Sequence, residues 1–114
     1  MRFVITFAIL LLFFSSCSYN ELSLPPPCET DNPSFTDCVE PIFEKNCIGC
    51  HSQNNSNGIM PLTNFLEIQD KVINGTVIES IKREVGFMPK NEERLTIEEI
   101  LIIENWKENG APNN

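Results

Sequence analysis

The chain reads as an all-α fold of about four short helices. Four segments begin with a short polar residue followed three positions later by Glu: Asp37 and Glu40, Asn64 and Glu67, Thr76 and Glu79, Thr96 and Glu99. In that pattern the first side chain can cap the helix and the Glu can return to the cap's own N–H. Apolar residues then recur at helical spacing behind these starts, and no convincing two-residue alternation exists elsewhere.

The chain begins Met1-Arg2, followed by an apolar run from Phe3 to Phe14 broken only by Thr6. This has the form of an export signal. It is too short to span a bilayer as a helix, which needs about 20 residues. The run ends Phe14-Ser15-Ser16-Cys17, which resembles a bacterial lipobox; residues 1–16 are then the signal peptide and Cys17 the lipidated N-terminus. An ordinary cleaved signal is the alternative. Lipid on Cys17 would place the protein on the periplasmic side of a bacterial membrane, held by several acyl chains because one binds only marginally. Residues 17–34 read as anchor and tether, with Pro25-Pro26-Pro27 as a stiff extended spacer. Residues 35–114 form one small domain.

Within that domain Asp37 opens a first helix of about two turns, with Pro41 in its first turn, where a missing N–H costs little. Asn64 opens a second helix carrying Phe65, Ile68, Gln69, Val72 and Ile73 on one face, ended by Gly75. Thr76 opens a third with Val77, Ile81 and Val85 on one side and Glu79 placed to pair with Arg83, ended by Gly86. Thr96 opens the last, which carries Ile100, Ile103 and Trp106 and stops at Gly110. The block Ile100–Ile103 is apolar all round, so this helix is expected to be buried on more than one side.

Cys47-Ile48-Gly49-Cys50-His51 matches the C-x-x-C-H signature of c-type haem attachment. Its thiols can add to the two vinyl groups of a haem, and the histidine can ligate the iron from the proximal side. A thioredoxin-like pair needs a strand before it and a helix after it, whereas an Asn/Ser/Gly-rich loop follows here. A zinc site usually needs four ligands, and the only other Cys donors are Cys17, Cys28 and Cys38, with no second His. With Cys17 taken by lipid and Cys47 and Cys50 by haem, Cys28 and Cys38 remain. Outside the cytoplasm an unassigned pair reads as a disulfide, with two free thiols as the alternative.

The full chain carries a net charge of −8; removing the signal takes away Arg2 and no acidic residue, leaving 7 basic and 16 acidic side chains, or −9. Such a surface does not suit nucleic acid. It could steer a basic redox partner. A domain of this size is marginal unless something adds to its core, and a buried haem would.

A short helix ending in C-x-x-C-H, two small helices, a Met-Pro loop and a longer C-terminal helix resemble a small monohaem class I cytochrome c, over roughly Phe35 to Pro112. The resemblance implies a cytochrome c-like fold around one covalent haem c. It implies that first and last helices cross through aromatics, matched here by Phe43 and Trp106. The family often has Gly one turn before that aromatic; Val39 stands there, which implies a wider or shifted crossing. The resemblance places the distal iron ligand in the loop before the last helix, at Met88, which precedes Pro89. Met60 also precedes a proline, but lies nine residues after His51 and is expected to be a packing residue. Pro61-Leu62 resembles the family's stretch after the motif, its usual glycine-rich approach reduced to Gly58. By that resemblance the Pro61 carbonyl accepts from the other His51 nitrogen and Leu62 packs on the haem.

The expected function is a membrane-tethered carrier of single electrons between redox protein partners, with no catalytic residues of its own. A haem-based ligand sensor and an accessory haem subunit of a larger oxidoreductase remain open.

Overall fold

The computed structural model describes residues 28–54 and 60–114. The signal segment, Cys17, the tether as far as Pro27, and Gly58 lie outside the described residues. The described chain is all-helical: a π-helical turn, Phe35–Val39, leads into α1 (Glu40–Asn46), and α2 (Phe65–Ile73), α3 (Thr76–Lys82) and α4 (Ile97–Glu108) follow. Among the described residues no helix is long and apolar enough to cross a membrane.

The first helical run starts earlier than expected. Ser34, not Asp37, is the cap, its hydroxyl accepting the Asp37 N–H at 3.2 Å. Starting there winds Phe35, Cys38 and Val39 inward, all of them buried. The opening turn is wide: Val39 N–H donates to Ser34 O at 3.2 Å and Glu40 N–H to Phe35 O. Pro41 follows immediately and has no N–H to contribute to a normal turn. Ile42 and Phe43 are the buried residues of α1.

Asn64 caps α2 through its side-chain oxygen, which accepts the Glu67 N–H at 3.1 Å. The Glu67 carboxylate does not complete a capping box with the Asn64 N–H. It reaches one residue further back and takes the N–H and the hydroxyl of Thr63, each at 2.8 Å. Ile68 and Val72 are buried, and the Gln69 amide on the same side donates to Ala111 O at 2.7 Å.

Thr76 is not a cap. Gly75 occupies that position in the left-handed region at φ 89°, which glycine adopts without a Cβ clash. Asn74 and Gly75, the two residues between α2 and α3, turn so tightly that Asn74 Oδ1 accepts both the Thr76 N–H at 3.0 Å and its hydroxyl at 2.7 Å. Val77 and Ile81 are buried, but α3 ends at Lys82 and Val85 is 89% exposed, so Val85 is no core residue. The chain turns extended at Arg83, whose carbonyl is taken by the Arg94 side chain instead of a following helical N–H. Lys82, at the end of α3, pairs with Glu104 of α4 at 2.6 Å.

The Thr96/Glu99 capping box at the start of α4 is complete. Ile102, Ile103 and Trp106 are buried, while Leu101 is 42% and Ile97 80% exposed. The helix is therefore buried along one broad side, not all round. Its central residue is Trp106, fully buried, with the Phe35 ring 5.5 Å and the Phe65 ring 6.3 Å away, and these two edge to face at 5.0 Å. Phe43 shares the core, but the ring partners of Trp106 are Phe35 and Phe65. The early helix start brings Phe35 there. The Trp106 indole N–H donates to Pro112 O at 3.0 Å, which satisfies the only polar group on that side chain.

The packed chain begins by Cys28. Cys28 and Cys38 are joined by a disulfide, and Pro33 is fully buried. Asn105 and Asn109 of α4 donate to Thr30 O at 2.8 Å and Asp31 O at 3.0 Å. Residues 28–34, read from sequence as tether, thus lie along the last helix. From the other end of the chain, Asn114 accepts the N–H groups of Phe35 at 2.8 Å and Thr36 at 3.0 Å.

Candidate functional site

The site is built where α1 stops. Cys47 closes that helix, its N–H donating to Phe43 O at 2.8 Å, and its own carbonyl accepts from Cys50 N–H at 3.1 Å and His51 N–H at 2.9 Å. The two bonds wrap Cys47, Cys50 and His51 around one tight turn. Both thiols are free, Cys47 half-buried and Cys50 exposed. Burial pushes the Cys47 thiol up to about 12, so it is protonated at neutral pH. Cys28 and Cys38, tied to each other, are not available to complete a zinc set with them.

His51 is the buried polar residue of the described chain, 8% exposed. Its Nδ1 lies 3.0 Å from the carbonyl oxygen of Met60. A carbonyl can only accept, so Nδ1 carries a proton, and in the neutral imidazole the lone pair is then on Nε2. The acceptor is thus Met60, not Pro61. The reason is the backbone of the following segment. Leu62 N–H donates to His51 O at 2.8 Å, so Met60 O and Leu62 N–H both face the histidine. In extended chain these groups, two residues apart, share a side, and the Pro61 carbonyl between them points the other way. Leu62 itself is buried at 3% exposure in the core.

This backing segment is fastened in turn. Thr63, directly after Leu62, is gripped by the Glu67 carboxylate. The bond from the Thr63 N–H, then that from its hydroxyl, holds Glu67 below the usual carboxylate range against the opposing effect of burial. At the start of α4, partial burial resists ionisation of Glu99, but bonds from Thr96 and Lys45 outweigh it and lower that group as well.

Met88 lies between α3 and α4, half-buried and packed against the core, and its N–H donates to Ser80 O at 3.0 Å. The Met88–Pro89 peptide is cis. Met60 is also half-buried against the core. Sequence reasoning missed three contributors: the Met60 carbonyl, Thr63 as the partner of Glu67, and Arg94. The Asn64/Glu67 spacing already signalled a Glu turned back toward the helix start. Nothing local signalled Arg94, whose guanidinium reaches the carbonyls of Arg83 at 2.6 Å and Glu84 at 2.9 Å.

Cys17 lies outside the described residues, so the described site comprises Cys47, Cys50, His51 and their backing segment; Met88 is on the α3–α4 loop. Compared with known proteins, the chain matches no family model, no curated protein and no solved structure.

Proposed function

We propose that this chain is a membrane-tethered c-type cytochrome of class I type that carries single electrons between redox protein partners on the periplasmic side of a bacterial membrane. The observation that carries the reading is the state of His51. Inside a C-x-x-C-H turn with two free thiols, Nδ1 is committed to a main-chain carbonyl and Nε2 keeps its lone pair. That is the tautomer a proximal iron ligand requires, and a bond at the other nitrogen makes the imidazole a better donor.

The residues present fit one covalent haem. Cys47 and Cys50 would hold its edge through thioethers, His51 would ligate the iron, and Met88 would supply the opposite thioether. When bound, the haem supplies one-electron redox chemistry. The protein's part is to fix the imidazole, keep water from the iron with the apolar core, and hold Met88 in place. Lipid on Cys17 would keep the domain at the membrane surface.

Mass spectrometry of mature protein from an export-competent bacterial host tests the reading. The expected mass includes one haem and the acyl chains, with no thiol that alkylates before reduction. Protein without covalent haem sinks it. Absorption spectra of the reduced protein under CO test Met88, because an iron with a firm thioether ligand binds CO slowly and one with an open site binds it at once.

A further inference from the structure

Residues 83–96 join α3 to α4 and bury little. Glu84, Val85 and Gly86 are exposed, as are residues 90–94, and only Phe87, Met88 and Pro89 are half-covered. The chain reverses on either side of Met88 through left-handed residues, Gly86 at φ 69° and Asn91 at φ 64°. A loop with so little apolar burial opens readily unless polar contacts hold it.

Those contacts converge from two directions. The Met88 N–H is tied to Ser80 O in α3. Arg94, from the far end of the loop, donates from Nη2 to the carbonyls of Arg83 and Glu84, and its guanidinium carbon sits 3.9 Å over the centre of the Phe87 ring. Arg83 is the C-terminal cap of α3, so one bond goes to a carbonyl at a helix end, where a cation is favoured. The neighbouring Leu95 is buried and anchors the base of this side chain. One planar cation therefore closes the loop across its neck and covers the residue beside Met88. Lysine could not do both, since it offers a point charge without a stacking plane.

We propose that Arg94 is the positioning residue for Met88: by clasping Arg83, Glu84 and Phe87 it holds the loop in shape, so that the thioether is presented without the loop having to order on ligation. This inference rests on the reading of Met88 as the distal ligand. Arg94 does for the distal side what the Met60 carbonyl does for His51.

The test uses haem-loaded full chain. Initial rates of CO binding to the ferrous protein are compared for wild type, Arg94→Ala, Arg94→Lys, Phe87→Leu, Met88→Ala and, as a control on α2, Lys71→Ala, whose ion pair is with its own neighbour Asp70. Exchange of the Met88 amide is measured alongside. Both Arg94 variants are expected to bind CO faster by about tenfold or more, with faster Met88 exchange, and Phe87→Leu to move the same way. Lys71→Ala should match wild type. A merely structural Arg94 would lower the unfolding temperature and leave the CO rate alone.

If Met88→Ala binds CO promptly while Arg94→Ala stays within about twofold of wild type, the Arg94 proposal is overturned and the His51/Met88 reading stands. If wild type itself binds CO promptly, the Met88 assignment fails and takes this proposal with it. Should Arg94→Ala not accumulate folded, Arg94→Lys and Phe87→Leu decide by the same criteria.

Discussion

His51 and Met88 are held by different kinds of contact. His51 is buried and is backed by a main-chain carbonyl and a main-chain N–H from the segment Met60–Leu62. Met88 is half-covered, on a loop tied by one main-chain bond and by the long exposed side chain of Arg94. Backbone partners survive most substitutions, whereas a side-chain clasp is lost with a single residue. On the proposed reading the His51 half is therefore the robust one and the Met88 half the tunable one.

The largest expected effect contrasts the two methionines. Met88→Leu should open the iron to CO, whereas Met60→Leu should leave CO binding near wild type, because what Met60 gives the site is a carbonyl that leucine also has. Stopped-flow CO binding to both ferrous variants checks this. Fast binding by Met60→Leu and not by Met88→Leu would exchange their roles.

Next comes the covalent tie of the N-terminal segment. Replacing Cys28 and Cys38 together by Ser opens a loop of sequence separation 10. Urea unfolding should show a loss of about 2–3 kcal/mol. The segment it frees bonds to α4 through Thr30 and Asp31 and not to His51 or Met88, so the CO rate should change little.

Acid should separate the halves. Glu67 titrates below its ordinary value in the folded chain. Its contribution is therefore present above the unfolded value near 4.5 and is lost as pH falls through the lower folded value. The partners of Arg94 are two main-chain carbonyls and a phenyl ring, none of them a carboxylate. On acidification the Leu62 amide, next to Thr63, should lose exchange protection before the Met88 amide does. Glu67→Gln should reduce Leu62 protection already at neutral pH and flatten its acid dependence.

The smallest effect is expected at Lys45→Ala. The Lys45–Glu99 pair spans 3.3 Å, but the lysine side chain is 72% exposed, so stability should change by less than about 0.5 kcal/mol. A larger loss would show that the contact between α1 and the start of α4 bears on the site.

Several elements were legible because their signals are local. The Thr96/Glu99 box and the left-handed Gly75 declare themselves within four residues. Asp37 and Thr76 carried the same spacing and failed. Ser34 offered a cap one turn earlier that brought Phe35 against Trp106, and Gly75 and Asn74 left Thr76 inside α3. Val85 kept the helical period of Val77 and Ile81, yet the chain had already left the helix at Arg83. Spacing proposes such starts and stops, and burial of distant residues selects among them.

By itself the sequence determined that the chain is helical and that two thiols and a histidine share one turn after the first helix, because both follow from contacts between near neighbours. Only the tertiary structure decided which ring faces Trp106, which carbonyl takes the His51 proton, and what clasps the Met88 loop. Those contacts join residues far apart along the chain, or depend on which way an extended segment turns its carbonyls. Periodicity and capping patterns carry no record of either.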